Sequence, residues 1–307
     1  MILNGYSANT IEKMKRLCDI LSGIQHTTFL SKRLSLYGGT ALNFIYLDLP
    51  RLSEDLDFNY RQIDSSDWGE TREKIDKTIK WILSSLGYQP SEIKINALYN
   101  LCRFHIRYKT SMGTNDDIKI EIGYMRRIPD LKNDRMKSFS HLTTKEKITV
   151  MTPKKEELFA NKFATMISRS KTYLNLRDIF DVYSISKKDI DKKLFVELIT
   201  IETMLMNMPF DMLFKTKKRL KQLKTTGSIT HLINKQIDFK TMRKQVTHFT
   251  CDIIENLSKY NYNSIIDRFY KTGNVDITSF HYKDSFNAQI RKHPQFKWLK
   301  KQHVKNQ

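Results

Sequence analysis

The spacing of apolar residues changes near residue 150, and this change constrains the fold more than any other feature of the sequence. Before it, Leu101–Tyr108 and Asp117–Tyr124 alternate apolar and polar residues, as half-buried strands do. After it, helical spacing dominates and alternation is rare. We therefore predict an α+β fold: an N-terminal domain, residues 1–150, with a mixed β-sheet flanked by helices, then a helical C-terminal domain, residues 151–307.

Local patterns add further elements to this outline. A short apolar run, Leu34–Tyr37, indicates a strand that ends at the chain's only adjacent glycine pair. A helix is then compatible with Thr40–Leu47. Apolar residues at helical spacing predict further helices over Ile11–Ser22, Glu70–Leu86, Lys154–Ser168, Leu194–Met206, Phe214–Leu223 and Thr250–Leu257.

The chain is strongly basic, with 53 Lys and Arg against 33 Asp and Glu, a formal net charge of +20. Two windows hold much of this excess: Lys215–Lys244 has ten basic residues and one acid, and Lys283–Gln307 has seven and one. Aromatic residues are interspersed, so both windows are candidates for binding phosphates and unpaired bases. The simpler alternative is a solvated helical face with a basic tail.

Membrane and secreted classes are disfavoured. We find no apolar stretch long enough to span a bilayer, and residues 1–9 do not resemble a secretion signal. Cys18, Cys102 and Cys251 are distant from one another, which favours free thiols in a reducing compartment. The sequence thus predicts a cytoplasmic protein with no membrane partner.

The densest chemical signal joins a glycine turn to paired acids. Gly38 and Gly39 would let the backbone approach a phosphate closely, and a helix starting at Thr40 would point free N–H groups at it. Fifteen residues later, Asp55 and Asp57 would face the same way on a strand, an arrangement that suits Mg²⁺.

A third carboxylate would come from Glu121, on the polar face of the strand predicted over Asp117–Tyr124. Three carboxylates can hold two metal ions. Between the glycine turn and the paired acids lie Arg51 and Ser53. Arg51 would either bind the nucleotide or anchor the loop to Asp55 or to the sheet, and Ser53 would cap the loop or contact phosphate.

These residues resemble a known family. The string Gly-Gly-Thr-Ala-Leu, followed by Arg-x-Ser-x-Asp-x-Asp-Phe, is similar to the AbiEii/AbiGii-type nucleotidyltransferase toxins of abortive-infection and type IV toxin–antitoxin systems, within the polymerase-β-like superfamily. One departure is Thr40, where the superfamily motif has serine; threonine keeps the hydroxyl, so the resemblance still implies that this hydroxyl contacts phosphate. The resemblance implies a nucleotidyltransferase-like N-terminal domain.

A second resemblance covers Glu156–Ala164 and Arg177–Asp181. In the family, the first segment is a helix with a nucleotide-contacting lysine, which corresponds to Lys162. The second is an Arg-Asp-x-x-Asp helix, which assigns Arg177 and Asp178 to nucleotide binding and favours Asp181 as the partner of Lys162. Which of the two aspartates is functional stays open from the sequence.

The resemblance implies an Mg²⁺-dependent (or Mn²⁺-dependent) enzyme that transfers NMP from an NTP to an acceptor, with tRNA the leading acceptor, and releases pyrophosphate. Catalysis would rest on Asp55, Asp57, Glu121, Lys162 and Asp181. A separately encoded antitoxin would be the protein partner. Two other classes stay open: a metal-dependent nuclease, and a non-catalytic RNA-binding protein. The sequence does not identify the NTP, the oligomeric state or the antitoxin's mode of action.

Overall fold

The computed structural model describes residues 3–62, 68–170, 173–222, 225–226 and 229–305. The chain divides into two compact units. The first comprises Met1–Pro129, Asp134–Pro153 and Thr230–Asn234, and the second comprises Asp130–Asn133, Lys154–Ile229 and Lys235–Gln307. Both units are discontinuous in sequence, because each takes a short segment from the other's part of the chain.

The first unit is built on a seven-stranded mixed sheet in the order β3-β4-β5-β2-β1-β7-β6. Its strands are β1 (Leu34–Tyr37), β2 (Asp55–Tyr60), β3 (Ile93–Ala97), β4 (Leu101–Lys109), β5 (Asn115–Gly123), β6 (Arg135–Ser140) and β7 (Lys147–Thr152). β2 runs parallel to β5 and β1 runs parallel to β7, whereas the other neighbours are antiparallel.

Helices accompany this sheet: α1 (Ala8–His26), α2 (Thr28–Ser31), α3 (Gly38–Ala41) and α4 (Trp68–Ser85). One sheet face is apolar and buried, as the alternation predicted, with Leu56, Phe104 and Ile120 fully inaccessible. α4 lies on that face, since Asp76 accepts a hydrogen bond from the buried Tyr124 hydroxyl (3.3 Å). The opposite face carries polar residues.

The second unit is helical. It contains α5 (Lys155–Arg169), α6 (Leu176–Ile185), α7 (Lys192–Leu205), α8 (Asp211–Lys221), α9 (Phe239–Lys259), α10 (Tyr262–Thr272) and α11 (Pro294–Lys305), with a small parallel pair, β8 (Leu174–Asn175) and β9 (Thr225–Thr226). Among its helices, the rings of Phe163, Phe195 and Phe249 contact one another in edge-to-face and tilted arrangements. The predicted α+β class, a mixed sheet flanked by helices and a helical C-terminal part, is confirmed.

Three expectations of the sequence can be checked directly. All three cysteines are free, and Cys18 and Cys102 are buried. Within the described residues, no helix is long and apolar enough to cross a membrane. The helix expected over Thr40–Leu47 is wrong in detail, because the helical backbone begins at Gly38 and continues as a π-helix over Leu42–Tyr46.

Candidate active site

Strand pairing sets the geometry of the paired acids. Asp55 and Asp57 lie on the same, half-exposed face of β2, while Leu56 and Phe58 between and after them are buried. β5 is the parallel neighbour of β2, and its register places Lys119 opposite Asp55 and Glu121 opposite Asp57. Paired residues of neighbouring strands point to the same side of a sheet. The predicted third carboxylate therefore shares a face and a cross-strand row with Asp57.

The glycine turn lies directly against these acids. Gly38 has φ +66, and a Cβ placed on it would overlap the Asp57 carboxylate. A Cβ on Gly39 would stand 2.8 Å from Ser53 Oγ and 3.1 Å from a guanidinium nitrogen of Arg51. At both positions a larger residue would collide with side chains predicted for the site, so glycine is required. At Gly38 the left-handed backbone also favours glycine.

A buried hydrogen bond of Thr40 connects the glycine turn to β2. Its side chain is fully buried, and its hydroxyl donates a 2.5 Å hydrogen bond to the backbone carbonyl of Asp55. The hydroxyl was expected to contact phosphate, whereas in the structure it holds the turn against β2. Arg51 is also buried, and it donates to the Leu52 carbonyl within the same loop at 2.7 Å.

Basic side chains lie among the carboxylates. Arg103 on β4 binds Glu121 (Nε–Oε1 2.6 Å), and Lys119 lies 3.5 Å from Glu121 and 3.6 Å from Asp55. Sequence reasoning missed both cations, although Lys119 shares the polar face of its strand with Glu121. Over the described residues, no three His, Cys, Asp or Glu side chains converge closely enough to hold a metal ion. The oxygen ligands that the fold offers to a metal ion are the carboxylates of Asp55 and Asp57, beside the glycine turn.

The second group of predicted site residues lies in the helical unit, on α5 and α6. Lys162 Nζ is 2.8 Å from Asp178 Oδ1 and 2.8 Å from Asp181 Oδ2. The structure therefore brings both aspartates to the lysine, where the sequence left the choice open. Arg169, one further basic residue that sequence reasoning missed, contacts Asp178 at 2.9 Å.

Burial and charge oppose each other at Asp178. The side chain is 2% exposed, and burial by itself would raise the pKa of its carboxyl, but the charges of Lys162 and Arg169 outweigh burial and lower that pKa. Arg177 lies in the first turn of α6, where its backbone N–H donates to the capping side chain of Asn175 at 2.9 Å.

The first basic window begins within α8, which exposes Lys218, Arg219 and Lys221 on its surface. Phe214 on the same helix is 49% exposed. Lys224, also in this window, lies outside the described residues. The second window contains α11, on which Trp298 is 42% exposed.

A glycine comparison tests how tightly the turn is packed. Gly87 has φ +93 and open space around its Cβ position, so Gly87→Ala isolates the cost of a left-handed backbone, about 1 kcal/mol. Gly38→Ala adds the overlap with Asp57, and we expect it to cost at least about 2 kcal/mol more. Urea unfolding measures both variants, and equal costs would contradict the packing of Gly38 against Asp57.

Comparisons with known proteins give the site a context. No curated protein sequence matches the chain significantly. Among solved structures, MenT4, a nucleotidyltransferase toxin of Mycobacterium tuberculosis H37Rv, has a TM-score of 0.54 and 15% sequence identity, over 85% of this chain and 90% of that one. At 15% sequence identity, this similarity shows a shared fold and nothing further. The family described as nucleotidyl transferase AbiEii toxin, type IV toxin–antitoxin system, matches residues 19–254. Because this match covers well over half of the sequence, the chain belongs to the AbiEii family of nucleotidyltransferase toxins.

Proposed function

We propose that the protein transfers a nucleoside monophosphate from an NTP to RNA, with tRNA as the acceptor, and that this arrests growth in a cytoplasmic toxin–antitoxin system that serves in abortive infection. The observation that carries the proposal is the packing of Gly38 and Gly39 against Asp57, Ser53 and Arg51. A backbone turn beside two carboxylates suits a triphosphate and its cation.

Asp55 and Asp57 would hold Mg²⁺ or Mn²⁺, and such an ion would make the attacking hydroxyl more acidic and neutralise charge on the leaving pyrophosphate. The donor set fits this role, because carboxylate oxygens are the ligands that hard cations prefer. Glu121 would add a third carboxylate in the row of Asp57. As base for the acceptor hydroxyl, it would have to exchange its contact with Arg103 for one with the hydroxyl.

The other residues position the nucleotide in this proposal. Gly38, Gly39 and Ser53 would receive the triphosphate, while Thr40 and Arg51 hold the turn in place from inside the fold. Lys162 would contact the triphosphate, with Asp178 and Asp181 fixing its ammonium group and Arg177 on the same helix binding the nucleotide. The acceptor oxygen forms a bond to the α-phosphorus, the bond between the α-phosphorus and the bridging oxygen breaks, and pyrophosphate leaves.

The nature of the transfer can be tested with labelled nucleotides. We expect purified protein with Mg²⁺ to label total tRNA from α-labelled NTP, to release pyrophosphate, and to stop when EDTA removes the metal. Label from γ-labelled NTP would instead indicate a kinase. Shortened RNA without label would support a metal-dependent nuclease, and RNA binding with neither outcome would support a non-catalytic RNA-binding protein.

The toxin role needs a second, cellular measurement. We expect expression of the chain to arrest growth, and co-expression of a separately encoded antitoxin to restore it. The same pair should lower phage yield in an infected culture if the system serves in abortive infection. Unchanged growth on expression of active enzyme would contradict the toxin role without affecting the transferase chemistry.

A further inference from the structure

The β3–β4 hairpin carries its basic residues on one face. Lys94 of β3 and Arg103, Arg107 and Lys109 of β4 all lie on the face opposite the buried Cys102, Phe104 and Ile106. His105 shares this polar face. Neither strand contains an Asp or Glu. We call Lys94, Arg103, Arg107 and Lys109 the basic strand face.

The register connects this face to the paired acids within the first unit. Arg103 lies opposite Glu121, and Glu121 lies opposite Asp57. Neighbouring strands are about 4.8 Å apart, so β4 runs about 10 Å from β2 along the same side of the sheet. A chain bound along the basic strand face as far as Arg103 would therefore come within about 10 Å of Asp57.

Most of these charges have no acidic partner. Arg103 is bound to Glu121, but no ion pair within 4.0 Å joins Lys94, Arg107 or Lys109 to an acid anywhere in the described part of the chain. Asp117 lies opposite Arg107 in the register without such a contact. All three unpaired cations are exposed. Unpaired, neighbouring like charges are what a polyanion would neutralise.

Protection of a sheet edge is the alternative explanation of this pattern. A lysine on an edge strand discourages pairing with other chains, and β3 is an edge strand, so Lys94 could serve that purpose. β4 pairs with β3 only from Cys102 to Ile106, so Arg107 and Lys109 lie where β4 itself forms the edge. Edge protection predicts no RNA binding by these residues, and a binding measurement therefore separates the two explanations.

The shape of the patch favours a strand of nucleic acid over a single triphosphate. Arg103 to Lys109 covers six residue steps of β4, about 20 Å. At the hairpin tip, Tyr99 is 71% exposed, and Arg72 holds the tip by donating to the carbonyls of Leu98 and Tyr99. Cations in a row with an exposed aromatic ring at one end are typical of surfaces that bind unpaired RNA.

We propose that the basic strand face binds the phosphates of the acceptor RNA and guides its reactive end toward Asp55 and Asp57. The inference rests on the proposed function, and it assigns acceptor binding to the sheet unit in addition to the basic windows of the helical part.

The test neutralises the three unpaired cations together, as Lys94→Gln, Arg107→Gln and Lys109→Gln. Its matched control removes the same charge from exposed lysines elsewhere in this unit, as Lys32→Gln, Lys77→Gln and Lys80→Gln; the last two lie on α4, on the opposite side of the sheet. The measurements are binding of a labelled single-stranded RNA oligonucleotide and of total tRNA across salt concentrations, NTP binding, and thermal unfolding.

We expect the hairpin variant to bind both RNAs at least about tenfold more weakly, with the salt slope reduced by about 2, while NTP binding is retained. The control should stay within about twofold of the wild type. Equal losses in both variants, unchanged RNA binding in the hairpin variant, or no RNA binding by the wild type would each overturn the inference. Failure of the proposed transfer reaction would appear separately, as RNA binding without labelling.

Discussion

Replacing either paired aspartate with asparagine is expected to reduce nucleotide transfer about a thousandfold, which corresponds to about 4 kcal/mol of transition-state stabilisation. Asparagine keeps the shape of aspartate and removes its charge. Because Asp55 and Asp57 are the two donors that the fold places beside the glycine turn, loss of either leaves one carboxylate to hold a divalent cation. The measurement is initial-rate transfer from α-labelled NTP to tRNA.

The fold should not suffer from these changes. Asp57 lies opposite Glu121 on the neighbouring strand, and like charges in that position repel each other. We therefore expect Asp57→Asn to unfold at the same temperature as the wild type or slightly higher. Such a gain would be typical of a residue retained for activity at the expense of stability.

A matched control and a metal readout make the result specific. Asp117→Asn changes an exposed aspartate on the same face of β5 and should leave transfer unchanged. Binding of Mn²⁺ in the presence of NTP, followed by its paramagnetic signal, should be lost in Asp57→Asn and retained in Asp117→Asn. Transfer within tenfold of the wild type in both Asp55→Asn and Asp57→Asn would show that these carboxylates do not carry the reaction.

Much of the site could be predicted because its signals are local. Alternation along the Asp55–Phe58 segment is enough to place both carboxylates on one face, and the glycine pair marks the turn beside them. Glu121 could be placed on the polar face of its own strand by the same rule. Its position opposite Asp57 depends on β2 pairing with β5 in parallel, a long-range contact that no local pattern encodes.

Other features depended on such tertiary contacts and were missed. β3, β6 and β7 were not predicted. β3 and β6 expose much of their surface, and the alternation of β3 extends over only five residues. The contact of the Thr40 hydroxyl with the Asp55 carbonyl was not predicted, because a hydroxyl next to glycine is equally suited to that carbonyl and to phosphate. Lys162 was assigned through family resemblance, and its two partners became clear only once α5 and α6 were packed together.

Removing the Lys162 ammonium group is expected to destabilise the fold strongly. Lys162→Met leaves Asp178 and Asp181, which are 2% and 0% exposed, without the cation they share. Breaking a buried ion pair by removing one partner costs about 3–5 kcal/mol, because the remaining charge stays desolvated. Lys162→Arg keeps the positive charge and should recover part of this loss. Urea unfolding measures the cost.

An exposed ion pair in the same unit provides the control. Lys192 contacts Asp252 at 3.1 Å, but its side chain is 70% exposed, against 13% for Lys162. Exposed pairs contribute about 1 kcal/mol or less, so Lys192→Met should be nearly neutral. Comparable losses in Lys162→Met and Lys192→Met would mean that burial of the two aspartates does not decide the energy of the Lys162 contacts.

The pH dependence of the stability loss in Lys162→Met identifies the carboxylate that causes it. In the wild type the pKa of Asp178 is lowered in the folded state, so its contribution to stability is present above its unfolded pKa of about 4 and is lost as pH falls through the lower folded value. In Lys162→Met, burial raises that pKa with only Arg169 opposing it, so Asp178 takes up a proton more readily on folding. The deficit of Lys162→Met relative to wild type should therefore shrink by about 1 kcal/mol or more as pH is lowered from 7 toward 4. A deficit that stays constant over this range would exclude an uncompensated carboxylate as its cause.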